Sequence, residues 1–336
     1  MKKAFILSLT IAVLVIALSV QARCDAYLDA LFAPPAQQEL DTAFASMTYE
    51  PYCKDFTKTE VYLDDPAYVV YKVTYDSDGL KQTGLFGWPK TSAGRSPLIM
   101  LNHAGFSGFG KLDDLRIAQF LKRGYAVAVA TYRGEAGEAG RAEGQMDILG
   151  YEAHDILNLM ECAAADEKVD GARIAMVGVS HGGGLTISAL TQTRRVRAAA
   201  TASAPTNLMD AKMKEMAARW RVTPAAVEVI LQILMPKEGI AKMKQILGVN
   251  EKDPAHIPSA RQEMLRRSPA LFADKIECPV LMWYGGQDPV AIWTDGKLIE
   301  ESLKARDYES KVTVYENRQH SYTPAEYEDV FLQILD

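Results

Sequence analysis

Ser180 lies between two glycines in the segment Gly178-Val179-Ser180-His181-Gly182. This is the G-x-S-x-G pattern, in which a sharp turn between a strand and a helix exposes a serine hydroxyl. Small residues on either side allow the helix to begin close to the strand, so a larger side chain at Gly178 or Gly182 would collide there. A serine hydroxyl is a weak nucleophile at neutral pH and needs a histidine oriented by a carboxylate. Without those partners the segment would be an ordinary turn.

Two later segments supply the partners that Ser180 needs. Asp288 follows the apolar run 280–284, and His320 follows the run 311–315. The order Ser, Asp, His is the order in which this type of turn meets its partners along the chain. We therefore predict a catalytic triad, in which His320 takes the serine proton and Asp288 orients the imidazole.

The other histidines and the nearby acids are less suited to these roles, because they adjoin turns, lie on helices or precede the strand. We expect them to be structural or surface groups. They are His103, His154, His181, His256, Asp274, Asp295 and Asp307.

Negative charge that develops on a substrate oxygen needs two hydrogen-bond donors. One is the backbone N–H of the residue after the nucleophile, here His181. For the second we choose Gly105 over Ala104, in the segment Asn102-His103-Ala104-Gly105, where small residues let the backbone approach a substrate. The alternative for this segment is a simple turn between a strand and a helix.

Alternating apolar strands and helical patterns must position these residues. The predicted strands lie at about 97–102, 125–132, 173–179, 197–204, 279–284 and 311–315, and the predicted helices lie at about 113–123, 151–165, 293–305, after Gly184 and after Pro324. Strands that are apolar on both faces are typical of a mainly parallel sheet covered by helices. The loops of Ser180, Asp288 and His320 then open on one edge of the sheet.

Residues 1–22 have the order of a secretory signal peptide. Lys2 and Lys3 precede an apolar run from Ala4 to about Leu18 and a small-residue end at Ala22. This predicts cleavage after Ala22 and an exported protein, periplasmic or secreted, with an uncleaved membrane anchor as the alternative. Removal of the leader changes the formal net charge from −6 to −8. The chain therefore lacks the net positive charge that would attract a nucleic acid or an anionic membrane.

Residues 23–66 form an N-terminal extension that we expect to be irregular, and a hairpin follows at 68–75 and 80–88. All four cysteines lie beyond the leader. We predict a disulfide between Cys24 and Cys53, whereas Cys162 and Cys278 are either a second bridge or buried thiols. No cysteine or histidine spacing indicates a metal site.

The strand signal disappears between about 206 and 268. Methionines and Trp220 recur there at helical spacing, and Thr223-Pro224 has the form of a helix N-terminus. We predict a cap of two or three inserted helices. Its methionines either pack the cap onto the body of the domain or line an apolar pocket over Ser180.

With these segments in place, the chain resembles an α/β-hydrolase of the prolyl oligopeptidase and dienelactone hydrolase-like group. The segment 102–105 resembles that group's His-Gly-Gly turn with Ala in the middle. The other matching segments are Tyr132-Arg133-Gly134, Gly150-Tyr151-Glu152 with Asp155, Ser180-His181-Gly182-Gly183, Ser268-Pro269 and residues 285–288. The resemblance extends from about Val73 to the C-terminus. It implies an α/β-hydrolase domain over 67–336, the triad named above, hydrolysis through an acyl-enzyme and no cofactor.

Peptidases of this group carry a β-propeller before the catalytic domain, and the segment between the leader and the first predicted strand is too short for one. We therefore expect a serine carboxylesterase that acts on a small-molecule ester, with a serine exopeptidase or amidase acting on short peptides as the alternative. Glu135 and Glu138 would favour the alternative if they bound a substrate amino terminus. A third hypothesis is a non-catalytic binding protein. The sequence does not predict the oligomeric state.

Overall fold

A computed structural model describes residues 26–92, 94–251 and 253–320 of the chain. The predicted leader, Cys24 and the helix predicted after Pro324 lie outside these residues. Among the described residues, no helix is both long and apolar enough to cross a membrane.

The described structure is built around a sheet of nine strands in the order β1-β2-β3-β5-β4-β8-β9-β10-β11. The strands are β1 (Thr57–Asp64), β2 (Tyr68–Ser77), β3 (Leu80–Pro89), β4 (Ser96–Asn102), β5 (Ala126–Ala130), β8 (Val169–Val179), β9 (Val196–Ala202), β10 (Val280–Gly285) and β11 (Lys311–Tyr315). A small separate ribbon pairs β6 (Ala136–Gly137) with β7 (Gly140–Arg141).

Six neighbouring strands, from β5 to β11, run parallel to one another. The strands β1, β2 and β3 pair antiparallel at the other side, and β3 joins the parallel set by pairing antiparallel with β5. This mostly parallel sheet agrees with the expected fold class. Because the six strands are parallel, their carboxyl ends lie along one edge, where loops from distant parts of the chain can meet.

Helices cover both faces of this sheet. They are α3 (Lys111–Lys122), α4 (Glu152–Ala164), α5 (His181–Leu190) and α10 (Trp293–Lys304). Leu85 of β3 belongs to an apolar cluster with Phe120 of α3, whereas a side chain at the preceding Gly84 would meet Leu159 of α4. Successive residues of a strand point to opposite faces, so α3 and α4 lie on opposite sides of the sheet.

Two predictions about the N-terminal part of the chain are wrong. Residues 26–47 are not irregular, because they contain α1 (Ala26–Leu31) and α2 (Gln37–Met47), and the sheet begins at Thr57 rather than after residue 66. The predicted hairpin is confirmed, since β2 and β3 pair antiparallel from Tyr68 and Pro89 to Ser77 and Leu80.

The strand-free segment contains four α-helices where two or three were predicted. They are α6 (Ala211–Val222), α7 (Pro224–Leu234), α8 (Lys237–Ile246) and α9 (Ile257–Leu265), and a short 3₁₀ turn lies at Pro254–His256. Residues 208–265 form one compact unit with residues 26–43, and residues 44–207 and 266–320 belong to a second unit.

Within the helical unit, Arg261 of α9 holds the N-terminal segment. Its guanidinium donates to both carboxylate oxygens of Glu39, at 2.6 and 2.8 Å, and to the carbonyls of Ala30, Leu31 and Ala33. The hydrogen bonds from Arg261 lower the pKa of Glu39 to about 2. These contacts explain why α1 and α2 form although each is too short to be stable alone.

The predicted disulfide is also wrong. Cys53 pairs with Cys162 of α4, 109 residues away, and Cys278 is a buried free thiol. The segment around Cys53 runs along α4, where the Tyr52 N–H donates to the side chain of Asn158 at 2.9 Å. This position brings the Cys53 sulfur to α4, and Cys24 cannot share a sulfur that is already bonded.

Candidate active site

Ser180 lies at the turn between β8 and α5. Its backbone has φ 52° and ψ −119°, a conformation that residues other than glycine rarely adopt. The turn is held because the Ser180 N–H donates to the Ala202 carbonyl at 2.8 Å and the Ser180 carbonyl accepts from the Gly184 N–H at 3.0 Å. The strained serine of the predicted nucleophile elbow is therefore present in the structure.

The two glycines of the pattern are required by close approaches of backbone. A Cβ atom at Gly178 would lie 2.3 Å from the Gly182 carbonyl oxygen and 2.3 Å from the Thr186 hydroxyl oxygen. A Cβ atom at Gly182 would lie 2.3 Å from the Asn102 carbonyl oxygen. The expected collision at both positions is confirmed, and it involves the helix at one glycine and the end of β4 at the other.

The structure brings Ser180, His320 and Asp288 together in one hydrogen-bonded chain. Oγ of Ser180 is 2.7 Å from Nε2 of His320, and Nδ1 of His320 is 3.0 and 2.8 Å from Oδ1 and Oδ2 of Asp288. Asp288 is buried, with 2% of its surface exposed. Its Oδ1 also accepts from the N–H groups of Val290 and Ala291, at 2.8 and 3.0 Å.

These contacts define the proton positions within the chain. The side chain of Asp288 accepts hydrogen bonds from two backbone N–H groups and therefore acts as an acceptor. Nδ1 of His320 then donates to it. The lone pair of Nε2 then faces the Ser180 hydroxyl, which can donate its proton. The arrangement is able to deprotonate the serine as an acyl acceptor attacks.

The loops that carry Asp288 and His320 are bonded to each other. The N–H of Gly286 donates to the Tyr315 carbonyl, and the N–H of Gln287 donates to the Arg318 carbonyl, both at 2.9 Å. A Cβ atom at Gly285 would lie 2.3 Å from the Gln319 carbonyl oxygen, so glycine permits this approach. The acid and the histidine are thus held as one unit beyond the ends of β10 and β11.

The loop that follows β4 carries the residue predicted as the second oxyanion donor. Gly105 is half-buried and has φ 78°, whereas Ala104 is exposed. The end of β4 is tied to α5, since the Asn102 amide donates to the Thr186 hydroxyl at 2.8 Å. His181, the other predicted donor, is the first residue of α5, so its N–H has no acceptor within the helix.

Behind the two predicted donors, three aromatic rings lie in a stack. The His103 ring is 4.1 Å from the Tyr132 ring at an interplanar angle of 16°, and the Tyr132 ring is 5.6 Å from the His181 ring at 26°. The Tyr132 hydroxyl also donates to the His103 carbonyl at 3.3 Å. The side chains of both histidines that neighbour the predicted oxyanion donors are therefore fixed within the domain.

A buried glutamate faces each histidine of this stack, and the two glutamates differ in their partners. The carboxylate of Glu152 accepts from the N–H groups of Asp147, Ile148 and Gly150 and is 3.7 Å from Nε2 of His181. Burial alone would raise the pKa of Glu152, but His181 and the Gly150 N–H lower it below its ordinary value. Glu152 is therefore the charged member of the pair.

Glu135 is the second buried glutamate, with 2% of its surface exposed. Its Oε2 accepts from the Gly108 N–H at 3.0 Å and is 3.4 Å from Nε2 of His103. Burial, together with the charge of Glu152, raises the pKa of Glu135 to about 9. The hypothesis that Glu135 and Glu138 bind a substrate amino terminus stays a prediction, and of the two side chains Glu135 is buried whereas Glu138 is exposed.

The sequence pattern indicates no role for this buried network. Tyr132 and Glu152 both occur in segments that carry the family resemblance, but nothing in their spacing indicates that both lie beside His181. From the sequence, Glu135 is considered only together with Glu138, as a possible binding group for a substrate amino terminus. The available signal was a pair of acids next to glycine-rich segments, which by itself does not distinguish a buried group from an exposed one.

A second buried ion pair supports the same region from the side. The backbone N–H, Nε and Nη2 of Arg133 all donate to the carboxylate of Asp155 on α4, at 2.9, 3.0 and 2.7 Å. Nη2 of Arg133 also donates to Asp78 at 2.9 Å.

Within the described part of the chain, no group of three or more His, Cys, Asp or Glu side chains could hold a metal ion.

The fold and the site can be compared with known proteins. The acetyl xylan esterase from Paenibacillus sp. R4 is similar in structure, with a TM-score of 0.62 and 19% sequence identity over 91% of this chain and 98% of that chain. A model of the prolyl oligopeptidase family matches residues 112–230, and a model of the dienelactone hydrolase family matches residues 264–331. The chain has the α/β-hydrolase fold.

Curated relatives of the chain include a protein with a peptidase name and an acylamino-acid-releasing enzyme. The chain is 24% identical over 265 residues to "Uncharacterized peptidase YtmA" of Bacillus subtilis (strain 168), over 79% of this chain and 91% of that protein. It is 25% identical over 250 residues to the acylamino-acid-releasing enzyme of Rattus norvegicus, over 71% of this chain. The matched region spans only 30% of the rat enzyme.

Proposed function

We propose that this α/β-hydrolase is a serine hydrolase that cleaves carboxylic esters through an acyl-enzyme on Ser180. The observation that carries the proposal is the continuous chain from Oγ of Ser180 through His320 to the buried Asp288. Such a chain, at the elbow between a strand and a helix, is the arrangement that activates a serine for acyl transfer.

In the first step, Oγ of Ser180 attacks the carbonyl carbon of the ester while its proton moves to Nε2 of His320. The resulting oxyanion accepts hydrogen bonds from the N–H groups of His181 and Gly105. The bond to the alkoxy group then breaks, and His320 returns the proton to the leaving alcohol. A water molecule repeats the sequence on the acyl-enzyme and releases the acid, so that Ser180 regains its proton.

Two considerations favour esters over peptides. The alcohol of an ester leaves the acyl group readily, whereas the nitrogen of an amide must be protonated in strict alignment before it can leave. In addition, the burial of Glu135 removes one of the two carboxylates that would recognise a peptide amino terminus. The esterase name of one structural neighbour supports the same choice, whereas the peptidase names of the curated relatives support the alternative, a serine exopeptidase or amidase.

The decisive experiment compares kcat/KM for a short-chain ester, an aminoacyl ester and the matched aminoacyl amide, with Ser180→Ala as the blank. We expect the ester to exceed the amide by well over tenfold. An amide within about tenfold of its ester, which corresponds to about 1.4 kcal/mol in barrier, would overturn the ester preference. If amide cleavage also fell in Glu138→Gln, the exopeptidase alternative would replace it. Failure of the wild-type protein to react with a fluorophosphonate would instead favour a non-catalytic binding protein.

We also propose that the protein is exported to the periplasm or secreted. The disulfide between Cys53 and Cys162 supports this location, because such bonds persist in oxidising compartments. N-terminal sequencing of the protein from fractionated cells tests the proposal. We expect a chain that begins at Arg23 outside the cytoplasm, and a cytoplasmic chain with an intact leader would refute it.

A further inference from the structure

The carboxyl group of Glu135 connects the two ends of the loop that contains Gly105. At the far end, Oε2 of Glu135 accepts from the Gly108 N–H at 3.0 Å. At the near end, the same oxygen is 3.4 Å from Nε2 of His103, with 1% and 0% of the two side chains exposed. One buried group therefore contacts both ends of the segment 103–108.

The other ring nitrogen of His103 faces the carbonyl of Ala104, at 3.1 Å. A carbonyl oxygen only accepts hydrogen bonds, so Nδ1 of His103 carries a proton and Nε2 presents its lone pair to Glu135 in the neutral ring. The Ala104 carbonyl and the Gly105 N–H belong to one planar trans peptide and point in opposite directions. The orientation of that carbonyl therefore sets the direction of the Gly105 N–H.

The surroundings of Glu135 favour its neutral form. Its Oε1 is buried without a hydrogen-bond partner among the described residues, a costly state for a charged carboxylate. The charged or titratable groups around Glu135 are His103, Glu152 and Asp155, and the Tyr132 carbonyl accepts from its backbone N–H at 3.0 Å. Burial and the negative charge of Glu152 raise the pKa of Glu135 to about 9, so its carboxyl group retains a proton at neutral pH.

We propose that Glu135 is a positioning residue for the oxyanion hole. As a neutral acid it donates a hydrogen bond to Nε2 of His103, and His103 in turn holds the Ala104 carbonyl so that the Gly105 N–H points at the substrate oxygen. The hydroxyl oxygen of Glu135 accepts from Gly108 at the same time. This inference rests on the proposed ester hydrolysis, and it adds that a proton on a group outside the triad is required for the rate.

The test measures kcat and KM for a short-chain ester between pH 6 and pH 10 in the wild-type protein and three variants. In Glu135→Leu, we expect kcat to fall by about tenfold or more while KM stays within twofold, because a donor to the transition state is misdirected. In Glu135→Gln, an amide oxygen at the position of Oε2 can accept from Gly108 but cannot donate to His103, so we expect kcat at pH 7 to fall as it does in Glu135→Leu while the contact to Gly108 is kept. Glu138→Gln, an exposed change on the same hairpin, is the matched control.

The pH profile separates positioning from mere structural support. In the wild-type protein and in Glu138→Gln, we expect kcat to decline with an apparent pKa near 9, because deprotonation of Glu135 removes its donor. Glu135→Gln should lack this decline, since its amide does not titrate. Active sites are counted by fluorophosphonate labelling, so that kcat refers only to folded protein.

Two results would overturn the inference. One is a Glu135→Leu variant with wild-type kcat per labelled site, and the other is a Glu135→Gln variant that keeps the alkaline decline. If Glu135→Leu does not fold, the Glu135→Gln profile alone decides between the outcomes. Absence of ester hydrolysis in the wild-type protein would contradict the proposed function itself. The wild-type assay comes first, so this outcome is distinguished from a failure of the inference about Glu135.

Discussion

Nε2 of His320 lies 2.7 Å from Oγ of Ser180, although 140 residues separate the two in the sequence. Ser180 follows β8 and His320 follows β11, and these strands run parallel within one sheet. The close contact is thus a consequence of topology, since parallel strands present their following loops at a shared edge. The contact also indicates that the rate of ester hydrolysis should depend on the side chains of Ser180 and His320.

We expect Ser180→Ala to abolish ester turnover and His320→Ala to do nearly the same, with the fold intact in both. Asp288→Asn should lower kcat by on the order of 10⁴-fold, because the amide stabilises the wrong imidazole tautomer. Steady-state kinetics with circular dichroism as the folding control test these expectations. Near-wild-type turnover in any of the three variants would remove that residue from the triad.

The close approach of α5 to the end of β8 leads to a steric prediction. In Gly178→Ala, the new methyl group would lie 2.3 Å from the Gly182 carbonyl oxygen, so the elbow must shift. A displacement near 1 Å at a reacting atom is expected to lower kcat by about 100-fold. Gly110→Ala is the control, because a Cβ atom there meets nothing within 4 Å. Equal rates in the two variants would contradict the prediction.

The disulfide between Cys53 and Cys162 should contribute about 2–5 kcal/mol to the free energy of unfolding, because it closes a long loop in the unfolded chain. We expect a reducing agent to lower the urea midpoint of the wild-type protein and to leave that of the Cys53→Ala/Cys162→Ala double variant unchanged. Peptide mapping without reduction should recover the two cysteines in one linked fragment. Alkylation of both thiols in the native protein would disprove the pairing.

The buried acid also makes stability depend on pH. The pKa of Glu135 is about 9 in the folded protein and about 4.5 in an ordinary environment. Between these values the folded state holds a proton that the unfolded state releases, so rising pH favours unfolding. We expect the free energy of unfolding of the wild-type protein to fall, relative to Glu135→Gln, as the pH rises from 4.5 to 9. Denaturant titrations at pH 5, 7 and 9 measure this difference, and a constant difference would contradict the prediction.

The residues that surround the nucleophile were predictable because their constraints are local. An apolar run that ends at glycine and serine indicates the elbow around Ser180 without knowledge of the rest of the molecule. The strand 311–315 was predicted at the bounds that the structure has. Asp288 and His320 follow from the rule that such loops share an edge of a parallel sheet.

The features that the sequence analysis missed depend on contacts between distant parts of the chain. Helix α2 is held by the ion pair of Glu39 with Arg261, 222 residues away. The partner of Cys53 is decided by the segment that runs along α4. The buried state of Glu135 depends on the small ribbon of β6 and β7, which approaches the loop at Gly108 so closely that a Cβ atom there would lie 2.6 Å from Gly137. None of these pairings has a signature in local sequence.

Helix α4 buries twelve of its thirteen residues, including the charged Glu152 and Asp155. Its mixture of polar, charged and apolar residues resembles that of a helix with a solvent-facing side, yet it has none in the described structure. In a library of random substitutions, α4 should therefore tolerate change as poorly as a central strand does. Its polar positions should be as intolerant as its apolar ones, because each is matched to a partner of fixed charge and geometry.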